Sequence, residues 1–327
     1  MKLFQLISCA ALSLSLLGCG QSSGPSITTV AVPVQSASAV PIASHSIGLV
    51  MKTLTNPFFV EMEKGARRAE REFGIALTVK TAAQETSIEQ QIQLVNDLIA
   101  AKVQAIVIAP GDSVSLIPAL RKAADAGIKI INIDNRLDPD ALRHIGLGTV
   151  PFVGVDNEAG AYKAGQFLAA NVTTPTQAAI LEGIRSADNA RQRMEGARRA
   201  VSENKQIKLV ASETANWKID EAYAAVKVMF TKHPDIKLLF AANDMMAMGA
   251  SKYLQESGKL SVKVVGFDAL SEALTEVKAG HIAGTVDQQA AEQGYQGVAL
   301  AVRLVKGEAV APVTIIETRL ITAAELK

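Results

Sequence analysis

The chain has 327 residues, 49% of them hydrophobic, which is enough for two α/β domains with separate cores. Lys and Arg number 33 against 32 Asp and Glu, a formal charge of +1, so no basic field exists to hold nucleic acid or an anionic membrane surface. Nucleic acid is excluded as a partner on that ground.

The first residues, Met1-Lys2-Leu3-Phe4, open a short cationic and then apolar stretch that runs to Leu17. It is too short to span a bilayer comfortably and reads as a secretory signal over residues 1–18. The stretch ends Leu16-Leu17-Gly18-Cys19-Gly20, which resembles the lipobox of bacterial lipoproteins, with Leu17 less typical there than Ser or Ala. Cys19 is therefore the expected lipidation site, and the protein is expected outside the cytoplasm, periplasmic or at the cell surface. The only two cysteines, Cys9 and Cys19, both lie in this leader, so the domain beyond it holds no disulfide and rests on its cores. Residues 20–45 contain no Asp, Glu, Lys or Arg and no helical periodicity; with Cys19 they read as a linker, reaching on the order of 30 Å if flexible.

From there, short apolar runs alternate with amphipathic stretches, the pattern of βαβ units and a parallel sheet. Strands are predicted near 47–51, 75–80, 104–109 and 128–133. Helices are predicted over 57–73, 87–101 and 113–126, the first with Asn56 as N-cap and Pro57 at its first position, the second with a Ser87/Gln90 capping box. The stretch 134–149 exceeds the usual connection length and reads as a functional loop or a local excursion. A second series follows, with strands near 151–155, 177–182, 206–211, 236–241, 261–266 and 282–286 and helices beginning near Asn157, Asn189, Lys218, Asp244 and Leu270. A last helix over 290–306 and a strand near 312–318 complete it. The two series share one grammar, so two similar lobes are expected.

Catalytic motifs are absent: the sequence has no phosphate-binding Gly-rich loop ending in Lys-Ser/Thr, no Gly-x-Ser-x-Gly and no His-Glu-x-x-His. His45, His144, His233 and His281 have no ligand-like spacing, and no metal or cofactor is expected. Gly146-Leu147-Gly148 lacks the third glycine of a dinucleotide fingerprint and reads as a turn.

What recurs is a polar or aromatic residue just past a strand, where open α/β sheets bind ligands. Asn56, Phe58 and Phe59 follow the first strand, and Asp134 and Asn135 the fourth. Asn243, Asp268 and Gln288 follow later strands, and Trp217 holds an equivalent position. Each alone is an ordinary helix cap. Together they match a neutral sugar, whose apolar ring faces suit aromatic planes and whose hydroxyls suit Asp, Asn, Gln and Arg. Phe58, Phe59 and Trp217 are the candidate planes, and Lys52 and Arg193 against Asp134 and Asp268 make a charge-balanced set that favours an uncharged ligand.

These residues resemble the periplasmic sugar-binding proteins of ribose-binding type, which feed ATP-driven importers. The specific pieces are Lys52-Thr53-Leu54-Thr55-Asn56-Pro57-Phe58-Phe59, Asn132-Ile133-Asp134, Ala190-Arg191-Gln192-Arg193, Ala241-Ala242-Asn243-Asp244-Met245-Met246-Ala247-Met248-Gly249, Val264-Val265-Gly266-Phe267-Asp268 and Gly284-Thr285-Val286-Asp287-Gln288. The resemblance implies two doubly wound parallel-sheet lobes joined by three crossings, near 154–156, 287–289 and 311–317. It implies one lobe of 46–154 plus 289–310 and a second of 155–288 plus 311–327. It places sugar contacts on Asn56, Phe58, Phe59, Asp134, Arg193, Trp217, Asn243, Asp268 and Gln288, and Lys52 and Asn135 are added as candidate sugar-binding residues. Lys52 and the long excursion after Asp134 look more like the allose-binding branch, although Asn135 departs from that branch's acidic residue.

The implied partners are a monosaccharide, an importer permease and a membrane reached through Cys19, with the protein a monomer. Two other readings stay open: a chemoreceptor ligand carrier, and a glycoside-processing enzyme using Asp134 and Asp268. A repressor of the same fold would need a basic helix-turn-helix where the leader and neutral linker stand.

Overall fold

Strands buried on both faces need apolar side chains at every position, which is why these strands read as continuous runs. In the computed structural model, which describes residues 45–326, the third strand is buried throughout. The leader, Cys19 and the linker to residue 44 lie outside the described residues. Among the described residues no helix is long and apolar enough to cross a membrane.

The first series forms β1 (Ser46–Met51), α1 (Pro57–Phe73), β2 (Ala76–Thr81), α2 (Ile88–Ala100), β3 (Ala105–Ile108), α3 (Ile117–Asp125), β4 (Lys129–Ile133), α4 (Pro139–His144) and β5 (Phe152–Val155). The second forms α5 (Asn157–Ala169), β6 (Thr176–Glu182), α6 (Asp188–Glu203), β7 (Ile207–Thr214), α7 (Ile219–Lys232), β8 (Ile236–Ala241), α8 (Asp244–Glu256), β9 (Lys263–Phe267), α9 (Ser271–Ala279) and β10 (Gly284–Asp287). The chain ends with α10 (Ala290–Val305), β11 (Val313–Ile316) and β12 (Arg319–Thr322). Two six-stranded sheets result, ordered β11-β5-β4-β3-β1-β2 and β12-β10-β9-β8-β6-β7. Every pairing is parallel except β12 against β10. The strand order of each sheet reverses beside its first strand, at β1/β3 and at β6/β8, the kind of switch point beside which open α/β sheets bind ligands.

The chain passes between sheets three times: after β5, after β10 and between β11 and β12. The first two lie where the sequence puts them. The third lies later, because Val313–Ile316 pairs in parallel with Phe152–Val155 and extends the first sheet. Residues 313–316 therefore belong with the first lobe and not, as the sequence division has it, with the second; only β12 joins the second sheet. Gln289, with φ 55°, turns the chain at the second crossing, and its Nε2 donates to the Glu317 carbonyl at 2.7 Å, tying two crossings together.

Two local expectations need correction. The Ser87/Gln90 capping box does not form: Ser87 makes no capping bond, and Gln90 Oε1 accepts instead from Ala83 N at 2.7 Å. The third helix starts at Ile117 and not at 113, because Asp112 Oδ1 accepts from the backbone N–H groups of Val114 and Ser115 at 2.7 and 2.6 Å and holds the chain in a turn. The 134–149 excursion carries the short α4, capped by Asp138. Gly146 and Gly148, both at positive φ, lie in the turn beyond it.

The first lobe depends on α10 returning from the second sheet to lie against α1. A Cβ on Gly65 would lie 1.7 Å from the Ala291 carbonyl oxygen, and one on Gly294 would lie 2.0 Å from that of Met62. The two glycines thus bring the backbones into contact, reciprocally, and set where α10 lies. Gly294→Ala must push the helices apart; overpacking of this kind costs about 1–3 kcal/mol. The melting temperature followed by circular dichroism is expected to fall by several degrees. An unchanged value would mean that α10 can shift freely.

Candidate functional site

The strand ends of both sheets meet across one narrow interlobe cavity of about 20 Å³. Its wall is Lys52, Asn56, Phe58, Phe59, Glu85 and Asp134 from the first lobe and Asn189, Arg193, Trp217, Asn243, Asp268 and Gln288 from the second and its crossing. Every one of these side chains is buried, so the lobes are closed on each other. Direct bonds across the gap hold them there: Ser113 N–H donates to the Ser186 carbonyl at 3.2 Å, Asp188 N–H to Ser113 Oγ at 3.0 Å, and Asn189 N–H to Asn135 Oδ1 at 3.3 Å.

Cap and ligand-facing group prove to be the same residue in two cases. Asn56 Oδ1 accepts from Phe58 N–H at 3.1 Å, capping α1, while its Nδ2 donates to Glu85 Oε1 at 2.8 Å on the cavity wall. Asn243 Oδ1 caps α8 through Met246 N–H at 2.9 Å, and its Nδ2 points toward the Trp217 carbonyl at 3.4 Å. An asparagine at a strand exit has two ends, and only one is needed for the helix.

Several wall residues are held in backbone conformations that side-chain-bearing residues avoid. Asp134 has φ 64°, Trp217 φ 68° and Asp268 φ 123°. Such strain persists only where the surroundings over-determine it, and it gathers at functional sites. At Trp217 the reason is visible: a Cβ on Gly183 would lie 2.1 Å from the indole ring, so the ring lies flat on bare backbone. Phe58 and Phe59 are 5.1 Å apart and nearly perpendicular at 84°, so only one of them can lie flat against a given ring face while the other presents its edge.

The charges are more numerous than the balanced set read from the sequence. Lys52 Nζ lies 2.8 Å from Asp134 Oδ2 and 5.5 Å from the centre of the Phe59 ring. Arg193 lies 3.8 Å over the Phe267 ring and 5.6 Å from that of Trp217; it donates to Asn157 Oδ1 at 2.8 Å and the Ala242 carbonyl at 2.9 Å, with Asp268 at 3.6 Å. Gln288 Nε2 donates to Asp268 Oδ1 at 2.6 Å and is itself held by Gln293. Glu85 adds a third carboxyl to the wall. Asp244 adds a fourth close by, accepting from Thr285 Oγ1 at 2.6 Å and Leu270 N–H at 2.8 Å.

Four acids against two cations is an excess that burial corrects by favouring the neutral form. Burial raises Glu85 above the usual carboxylate range, against the pull of Lys52. It raises Asp268 well above that range, against Arg193 and with the help of Asp244. It raises Asp244 to about 7. All three shifts act against the excess of negative charge, in the direction that suits an uncharged ligand.

Of the residues proposed from sequence, Asn135 is the one the structure sets off the cavity wall. It is fully buried behind it, donating from Nδ2 to the Pro110 carbonyl at 3.1 Å. Glu85 and Asn189 were not read from the sequence, although both had a signal: Glu85 follows a strand, β2, and Asn189 lies four residues before Arg193 on one helix face. Among the described residues, no group of three or more His, Cys, Asp or Glu side chains is placed to hold a metal ion.

Residues 47–309 match the periplasmic binding protein domain family, and the chain belongs to it. A D-ribose/D-allose-binding protein of Pseudomonas aeruginosa is 40% identical over 265 residues, 80% of this chain and 82% of that protein. The D-allose-binding periplasmic protein of Escherichia coli is 34% identical over 272 residues, 83% of this chain and 88% of that protein. An ABC transporter periplasmic solute binding protein from Actinobacillus succinogenes, solved with bound D-allose, has a TM-score of 0.81 and 37% identity, and the match covers 86% of this chain and 98% of that one. The resemblance carried by the motifs thus extends along the chain, and the protein is a binding protein and not an enzyme.

Asp244 also sets a pH dependence. Its carboxyl is raised from its ordinary 3.8 to about 7, so the folded protein keeps a proton that the unfolded chain releases. That contribution to stability is complete below about pH 4 and is lost as pH rises to about 7. The melting temperature in scanning calorimetry is expected to fall more steeply from about pH 5 to 7 in the native protein than in Asp244→Asn. Parallel curves would mean that Asp244 is ionised in the fold.

Proposed function

We propose that the protein captures one neutral monosaccharide, an allose-like hexose or a ribose-like pentose, between its lobes and delivers it to the permease of an ATP-driven importer. The observation that carries this reading is the closed interlobe cavity, walled by three aromatic rings and by amide, carboxyl and cationic groups from both lobes. A ligand that bonds to both lobes favours the closed state by its differential affinity, and closure is a hinge motion at the three crossings. The names of the related proteins, which specify ribose and allose, support the sugar class. Lys52, Asn56, Phe58, Phe59, Asp134, Arg193, Trp217, Asn243, Asp268 and Gln288 are the proposed contacts. Asn135 supports Asp134 from behind.

The ligand class is tested by thermal shift with a panel of pentoses and hexoses, since a ligand that binds only the folded protein raises its melting temperature. Ribose or allose is expected to give a rise of several degrees and to change Trp217 fluorescence. Asp134→Ala, which leaves Lys52 buried without its partner, is expected to lose at least a hundredfold in affinity. No shift with any monosaccharide would sink the sugar reading.

Cys19 is proposed as the lipid anchor, with the uncharged linker holding the domain clear of the membrane. Expressed with its leader in bacteria, the native protein is expected in the membrane fraction and Cys19→Ser in the soluble one. Equal partition of both proteins would remove the anchor from the proposal.

A further inference from the structure

Asn189 sits in the first turn of α6, 3% exposed, and presents three polar groups to three different surroundings. Its backbone N–H donates across the lobe gap to Asn135 Oδ1. Its side-chain Nδ2 reaches within 3.5 Å of Asp134 Oδ1, also across the gap. Its Oδ1 is buried on the cavity wall and, among the described residues, accepts from no protein group. The orientation of the amide follows from its neighbour: turned over, it would set a carbonyl oxygen against a carboxylate oxygen, two acceptors with no proton between them. The acceptor end therefore faces the cavity.

A buried acceptor without a donor is costly, and a ligand that supplies the donor removes that cost. We propose that Asn189 is a specificity-determining contact of the second lobe, its Oδ1 accepting from one hydroxyl of the bound sugar while its Nδ2 rests on Asp134 of the first lobe. The inference rests on the sugar reading above and adds a selection rule to it. Oδ1 accepts only, so the ligand atom opposite must donate. A hydroxyl satisfies it; a deoxy carbon, a methyl ether or a carbonyl oxygen at that position leaves it orphaned. Lys52, on the other side of the same Asp134 carboxylate, has only donors to offer. The two side chains flanking Asp134 thus supply opposite hydrogen-bonding capacities to the same cavity. Because Nδ2 finds Asp134 only when the lobes are closed, the ligand bond and the closed state support each other.

The experiment uses the mature protein, the monosaccharide that the thermal-shift panel identifies and the full set of its monodeoxy analogues, with affinities from titration calorimetry. Asn189→Ala is expected to bind the parent sugar about ten- to a hundredfold more weakly, mostly through faster release. One monodeoxy analogue is expected to bind the native protein weakly by a similar factor and to lose nothing further in Asn189→Ala, whereas the other analogues lose as much as the parent. A residue that only shapes the site would weaken the parent and every analogue by one common factor, and that result would overturn the proposal, as would parent binding within twofold of native. Should Asn189→Ala fold poorly, the similarly sized Asn189→Leu undergoes the same comparison. A native protein with no monodeoxy analogue weakened tenfold would also overturn it. If no sugar binds the native protein, the sugar reading itself fails; if the sugar binds and the variants behave like native, only the role of Asn189 does.

Discussion

Charged groups shut between two lobes have to be neutralised within the protein, because water cannot reach them and an uncompensated charge there costs several kcal/mol. Lys52, Glu85, Asp134, Arg193, Asp244 and Asp268 are all buried in or beside the interlobe cavity. The surrounding structure answers each of them: the Lys52–Asp134 pair, the Phe267 face under Arg193, the Thr285 and Leu270 donors on Asp244, and Gln288 on Asp268. The pKa values of Glu85, Asp244 and Asp268 are also raised by burial, which favours their neutral forms. The cluster is thereby closely hydrogen-bonded and rich in hydrogen-bonding capacity, which suits it to a small polar ligand.

The same cluster makes closure dependent on what lies between the lobes. Among the described residues, the protein's own bonds across the gap include neutral ones such as Ser113 to Ser186 and Asn189 to Asn135, and the longer one from Asn189 Nδ2 to Asp134 Oδ1. Neutral bonds of this kind contribute about a kcal/mol or less each against the same groups in water. In the proposed function a ligand with partners on both walls adds to these bonds, and the Gln289–Glu317 bond ties together two of the crossings about which the lobes would move. Within each lobe, by contrast, the contacts are backbone to backbone: α1 meets α10 at Gly65 and Gly294, and α5 meets α6 where a Cβ on Gly196 would lie 2.2 Å from the Glu158 carbonyl oxygen. Rigid lobes and a responsive gap follow from that difference in packing.

Much of the site was legible in the chain because ligand groups at strand exits leave a local signature. Asn56, Asp134, Asn243, Asp268 and Gln288 each follow an apolar run, and each reaches the cavity wall. Asn56 and Asn243 were ambiguous between cap and contact, and the ambiguity was physical: one amide does both tasks. Asn135 followed the same rule and yet points behind the wall, since the φ 64° turn at Asp134 sends the next side chain toward Pro110. Glu85 and Asn189 escaped notice because their burial depends on the opposite lobe or on Asn56, which nothing in their own neighbourhood records. The assignment of Val313–Ile316 failed for a related reason: an apolar strand carries no mark of which sheet it will extend.

Local chemistry in the sequence by itself determined the βα alternation, the helix starts at Asn56 and Asn243, the two-lobed plan and the aromatic and amide composition of the site, because propensity, capping and periodicity act over a few residues. The tertiary structure decided which sheet takes β11, how the two phenylalanines cross, that four acids face two cations, and that the Asn189 acceptor has no donor among the described residues. These depend on distances between segments far apart in the chain, and burial and electrostatic coupling exist only once those segments have met.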